Sequence, residues 1–136
     1  AKITLSNLRD FPSVLDSESM MLARTFPKNQ RKLGRAFKET FDTILAHGGD
    51  SVFRRWDPKR ERHVGGFLNT AFEVFAMGLG FHVANGARFE TDLERVQKEL
   101  WSRRDMRSGF ATGKSTEARL ARFLPLGREL LGGRDA

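Results

Sequence analysis

Few residues in this chain have the type and spacing to do chemistry. The string Ser108-Gly109-Phe110-Ala111-Thr112-Gly113-Lys114-Ser115 comes nearest to a phosphate-binding loop, which needs a glycine, four residues, then Gly-Lys-Ser/Thr. Here Ser108 stands where the first glycine belongs, and Gly109 falls one position late. The preceding Trp101 to Arg107 is a charged helical stretch rather than the buried strand such a loop hangs from. A milder reading remains: backbone N–H groups opening a last helix, with Lys114, could hold a phosphate or sulfate. The plainer alternative is that Ser115 or Thr116 caps that helix, with Glu117 in its first turn.

The three histidines, His47, His63 and His82, have unrelated spacings and no second ligand three or four residues on, so no metal site is expected. His82 on an apolar helix fits a hydrogen-bonded core histidine. No Gly-x-Ser-x-Gly elbow marks a nucleophilic serine. The chain has no Cys, which excludes disulfides, thiolate zinc sites and cysteine nucleophiles. Asn69 and Glu73 are four apart and share one helical face. A carboxylate there could be catalytic if desolvation raised its pKa, but a structural pair is the commoner use, with a basic residue of the Arg54-Arg55 element as partner. No catalytic residue, metal or cofactor is expected.

Charge is the stronger signal. The net charge is +7, and basic residues cluster in three stretches. The first holds Lys28, Arg31, Lys32, Arg35 and Lys38; the second Arg54, Arg55, Lys59, Arg60 and Arg62; the third Arg103, Arg104, Arg107 and Lys114. If the fold brings two of them together, a phosphate-binding surface results. Each alone could equally be a solvated helix face. Arg54, Arg55, Lys59, Arg60, Arg62 and Lys114 are the candidate polyanion contacts.

The elements that must position these residues follow from periodicity. At 136 residues the chain suits one domain, and 12 Phe with no Tyr favour a dry core. Residues 1–12 form a lead-in, and Ile3-Thr4-Leu5 is too short to read as a strand. A helix is expected over Ser13–Thr25, packing Val14, Leu15, Met21 and Leu22 and ended by Phe26-Pro27. A second runs from Lys28 to His47 with Leu33, Phe37, Phe41, Ile44 and Leu45 as its stripe, stopped by Gly48-Gly49. Asp50 or Ser51 caps a short helix through Phe53 to Trp56, and a charged loop to His63 is closed by Gly65-Gly66. The most apolar segment, about 67–84, is expected as the central helix. Phe89, Leu93, Val96 and Leu100 define the next, with Trp101 beside the stripe. After a basic loop over Arg103–Ser115, a last helix to about Leu131 packs Leu120, Phe123, Leu124 and Leu131, kinked or split by Pro125. The expected fold is all-α: a compact bundle of five or six helices. No apolar run crosses a membrane and the first residues lack a secretion signal, so an intracellular, cytoplasmic protein is expected.

The order Lys38–Ile44, Asp50-Ser51-Val52-Phe53-Arg54-Arg55-Trp56-Asp57, then Asn69-Thr70-Ala71-Phe72-Glu73-Val74 resembles the C-terminal helical region of prokaryotic restriction (phage-defence) proteins with a ParB/sulfiredoxin-like N-terminal domain, the GmrSD-like group. The tail from Ser108-Gly109 through Gly113-Lys114-Ser115 to Arg119 is similar to that family's loop before its last helix. The likeness covers about residues 33–124. It implies that residues 1–136 are a single helical domain, the C-terminal part of a longer protein, an implication that the start at Ala1 rather than Met also suggests. It further implies an accessory or sensor role beside a nuclease or NTPase domain of the same or a partner chain, with possible DNA contact. Phe53, Trp56, Asn69, Phe72 and Glu73 would be structural. The family's Asp-Gly-Gln-Gln-Arg-like motif and an HNH-type motif do not occur here, so its catalysis transfers to no residue. The alternative is a free-standing protein-interaction bundle without a nucleic-acid role.

Overall fold

A computed structural model describes residues 10–87, 92–110 and 113–132. The Ile3-Thr4-Leu5 segment, Phe89, Ala111 and Thr112 lie outside the described residues.

The first helix, α1 (Phe11–His47), is one unbroken run of 37 residues. Two helices separated at Phe26-Pro27 were expected; instead the helix continues through Pro27. Proline removes one intrahelical N–H and crowds the turn before it. Here that turn is exposed, so water can satisfy the freed carbonyl. Pro12, by contrast, sits in the first turn, where a missing N–H costs nothing. The expected packing of Leu15, Met21 and Leu22 is not found: all three are exposed, and Thr40 and Ile44 are the helix's buried residues. Gly48 ends α1 with its N–H on the Ile44 carbonyl, and Gly49 takes the left-handed conformation (φ 57°).

A 3₁₀ turn over Gly49–Phe53 seats Val52 in the core. The helix expected to continue through Trp56 stops there. Arg55–Asp57 forms β1, which pairs antiparallel with β2 (Arg62–Val64) in the register Arg55↔Val64, Trp56↔His63, Asp57↔Arg62. The hairpin base is tied to the next helix by the Leu68 N–H on the Phe53 carbonyl (2.9 Å).

The second helix, α2 (Asn69–Ala84), buries Ala71, Val74, Phe75, Ala76 and Leu79. Phe67 and Leu68, expected within it, precede it. The third, α3 (Leu93–Ser102), is capped by Asp92, whose carboxylate accepts the Glu94 and Arg95 N–H groups, and it buries Leu93, Val96, Leu100 and Trp101 as the stripe requires. A 3₁₀ turn at Arg104–Met106 inserts Met106 into the core from a stretch expected to be loop. The fourth, α4 (Thr116–Leu131), runs through Pro125 without splitting. Leu120, Phe123, Leu126 and Leu131 pack its inner face, while Pro125 lies on the exposed side. The described residues thus hold four α-helices and one short hairpin, so the fold is mostly helical with fewer helices than the five or six expected. Among the described residues no helix is long and apolar enough to cross a membrane.

The α2 and α4 backbones meet at two glycines. A Cβ on Gly127 would lie 2.4 Å from the Val74 carbonyl oxygen, and one on Gly78 would lie 2.8 Å from the Gly127 backbone. Only residues without side chains let the two helices approach this closely.

Candidate nucleic-acid interface

The hairpin gathers the second basic stretch. Residues 54–64 carry Arg54, Arg55, Lys59, Arg60 and Arg62 against two carboxylates, Asp57 and Glu61. Its turn is built by Asp57, whose Oδ1 accepts the Lys59 N–H (2.9 Å) and the Arg60 N–H (3.2 Å). Glu61 completes the reversal in the left-handed region (φ 49°). Desolvation in the turn would raise the Asp57 pKa. The two backbone N–H groups and the charges of Arg60 and Arg55 outweigh it and hold the carboxyl below its usual value. Lys59, Arg60 and Arg62 are exposed at the tip and on the second strand.

Two basic stretches meet here. Arg55 donates from Nη2 to the Arg107 carbonyl (2.8 Å), joining β1 to the segment after α3, where Arg103, Arg104 and Arg107 are exposed. Asp105 offsets part of this charge: its carboxylate contacts Arg103 Nε (3.3 Å) and Arg122 Nη2 (2.9 Å). Desolvation opposes these contacts, yet together they lower its pKa. Arg54 turns the other way, donating from Nε to the Gly65 carbonyl (2.8 Å), and braces the base of the hairpin. Lys114 is exposed before α4, and no contact among the described residues ties it to the hairpin. The first stretch is separate again: Lys28, Arg31, Lys32 and Arg35 line a cleft of about 480 Å³ between α1 and the end of α2.

The opposite face of the hairpin fixes it to α3. Trp56 and His63, paired across the strands, meet edge to face at 5.1 Å, and Lys98 Nζ lies 4.9 Å from the Trp56 ring centre. Buried Gln97 donates from Nε2 to the Ser51 carbonyl (3.0 Å) and to His63 Nε2 (3.2 Å), a role only neutral imidazole can accept. Gln97 was not singled out from sequence. Its position four residues after Leu93 puts it on the apolar stripe, which is the signal that could have found it.

The residues expected to be structural are placed as follows. Phe53, Phe67 and Phe72 form a ring cluster with centres 5.5–6.0 Å apart. Asn69 is exposed at the start of α2. Glu73 is buried, but its partner is not the Arg54-Arg55 element. Arg119 of α4 contacts both Glu73 carboxylate oxygens from Nε, at 2.8 and 3.0 Å. The expected partner fails because Glu73 faces the α2–α4 seam, while Arg54 and Arg55 are held by backbone carbonyls. His82 donates from Nε2 to the Arg128 carbonyl (2.8 Å), the hydrogen-bonded role expected of it. At the P-loop-like string, Ser115 Oγ accepts the Ala118 N–H and Glu117 lies in the first turn of α4, so this segment is a helix cap. Among the described residues no group of three or more His, Asp or Glu is placed to hold a metal ion. No family model, curated protein or solved structure matches this chain.

Proposed function

We propose that this chain is a helical accessory or sensor domain that contacts a nucleic-acid backbone through the β1–β2 hairpin. The observation that carries this reading is the Arg55–Arg107 link, which joins two basic stretches into one surface. The contacts are suited to phosphates: exposed Lys and Arg at a hairpin tip, without a recognition helix aimed at base edges. The resemblance to restriction proteins supports placing the domain beside a nuclease or NTPase domain of the same or a partner chain. In that setting it senses or positions DNA while the chemistry happens elsewhere, in the cytoplasm of a prokaryote.

The test is a fluorescence-anisotropy titration of a random duplex at low and near-physiological salt. Binding is expected to be weak and steeply salt-dependent, in the nonspecific range of about 10⁻⁴–10⁻⁶ M. Changing Lys59, Arg60 and Arg62 to Gln together should weaken it and flatten the log–log salt slope by about 3, near 0.9 per lost phosphate contact. These three are chosen because Arg54 and Arg55 also brace the fold. A folded protein that does not bind even at low salt would reject the nucleic-acid role, leaving a protein-interaction bundle.

A further inference from the structure

The apolar residues of α1 follow an unusual rule. Phe11, Leu22, Leu33 and Ile44 recur every eleven residues, and Leu15, Phe26 and Phe37 recur at the same interval between them. Eleven residues make just over three full helical turns, so this pattern holds one nearly straight stripe along the helix. At its C-terminal end the stripe enters the core through Thr40 and Ile44. Further back it is bare: Leu15, Leu22, Phe26, Leu33 and Phe37 are between 41% and 67% exposed.

A helix in this state needs a partner. The first half of α1 contributes no buried residue and carries Pro27 in its interior. Helices in proteins take most of their stability from packing an amphipathic face, and a proline in the interior weakens the helix further. At about 200 Å² per large apolar side chain, the five bare residues leave on the order of 500 Å² of apolar surface. That is close to the apolar share of the ~800 Å² that each partner buries in a stable interface.

The stripe says which partner. It is symmetric about residue 24, so a second copy laid antiparallel sets apolar residue against apolar residue along its bare length, while Lys28, Arg31, Lys32 and Arg35 stay on the cleft side of the helix, away from the contact. With a two-fold axis near Arg24, Leu15 meets Leu33, Leu22 meets Phe26, and Phe11 meets Phe37. Phe37 borders a shallow groove of about 200 Å³, lined with Ala36, Thr40, Phe41, Ala76 and Gly80, which is open to receive the second copy's Phe11. We propose that two copies of this chain associate through the α1 stripe as an antiparallel, two-fold symmetric pair. Such an interface is self-complementary and closes on itself.

The test is sedimentation equilibrium of the whole chain from low to high micromolar concentration, with Leu22→Glu/Phe26→Glu beside it. A dimer is expected for the parent chain, and the double variant should raise its dissociation constant at least about a hundredfold. The buried Trp101 reports by its fluorescence that the variant core is intact. Because the chain lacks Cys, single cysteines read the direction. Thr25→Cys should form a self-disulfide. Leu15→Cys and Leu33→Cys should cross-link only when mixed with each other. A parent chain that stays monomeric, a dimer that survives the double variant, or Leu33→Cys self-linking would each overturn the proposal.

Discussion

The α2–α4 seam and the hairpin–α3 contact are held by opposite means. At the seam, two glycines bring the helix backbones together and a buried carboxylate clasps an arginine across them. At the hairpin, two three-residue strands rest on one glutamine, an edge-to-face ring pair and two backbone carbonyls that anchor arginines. The seam has no slack, so a change there is paid across the whole fold. The hairpin presents its cations outward and is braced from behind, so they can be removed with little effect on folding. Surfaces that bind are commonly carried this way on a rigid support.

The largest expected effect tests the seam. Gly127→Val places side-chain atoms where the Val74 carbonyl stands, and the helices must separate. The cost is at least about 3 kcal/mol, the top of the usual overpacking range and a large part of a typical domain's ~5–15 kcal/mol. Urea denaturation should show a much lower midpoint or no folded baseline. A midpoint close to the parent's would mean that α2 and α4 are not in backbone contact.

Second in size is Glu73→Ala, which leaves Arg119 without its carboxylate in a setting where each side chain is mostly buried. Breaking such a pair by removing one partner costs about 3–5 kcal/mol when fully buried. Arg119 keeps some access to water, so about 2–3 kcal/mol is expected in the same denaturation experiment. The double variant Glu73→Ala/Arg119→Ala should recover part of the loss. A loss that is simply additive would mean the two groups do not interact.

Sequence legibility divides along the same line. The apolar stripe of α3 and the cap at Ser115 could be read because each depends on residues near in sequence or on a clear 3.6-residue period. On α4 Leu120, Phe123 and Leu131 follow from the same period, but Leu126 and not Leu124 is the buried residue beside Pro125. The hairpin could not: three-residue strands give too few alternations, and Asp57-Pro58 was the available turn signal. Arg119 as the partner of Glu73 was equally hidden, because a 46-residue separation is set by how α2 meets α4 and not by local pattern. The continuity of α1 was missed for a different reason. The break expected at Phe26-Pro27 rests on proline's disfavour for helical geometry in the residue before it, a local preference that the helix overrides where its turn is exposed.

The smallest effect probes the hairpin side. Burial lowers the His63 pKa below 6.5, the Arg54 charge lowers it further, and the Glu94 and Asp50 charges oppose them in part. The unfolded chain therefore takes up a proton near pH 6.5 that the folded hairpin resists. Between the two pKa values the unfolded state holds more protons, so stability rises with pH across that window and falls as the pH drops below about 6.5. Protonation would also remove the lone pair that accepts the Gln97 amide. Amide-exchange protection should therefore drop at Trp56, His63 and Val64 as the pH is lowered from 7.5 to 5.5. His63→Gln, which cannot charge, should flatten that dependence. Equal loss of protection along α2 and α4 over the same range would show that the hairpin does not open on its own, and the contrast between a locked seam and a separately held binding surface would fail.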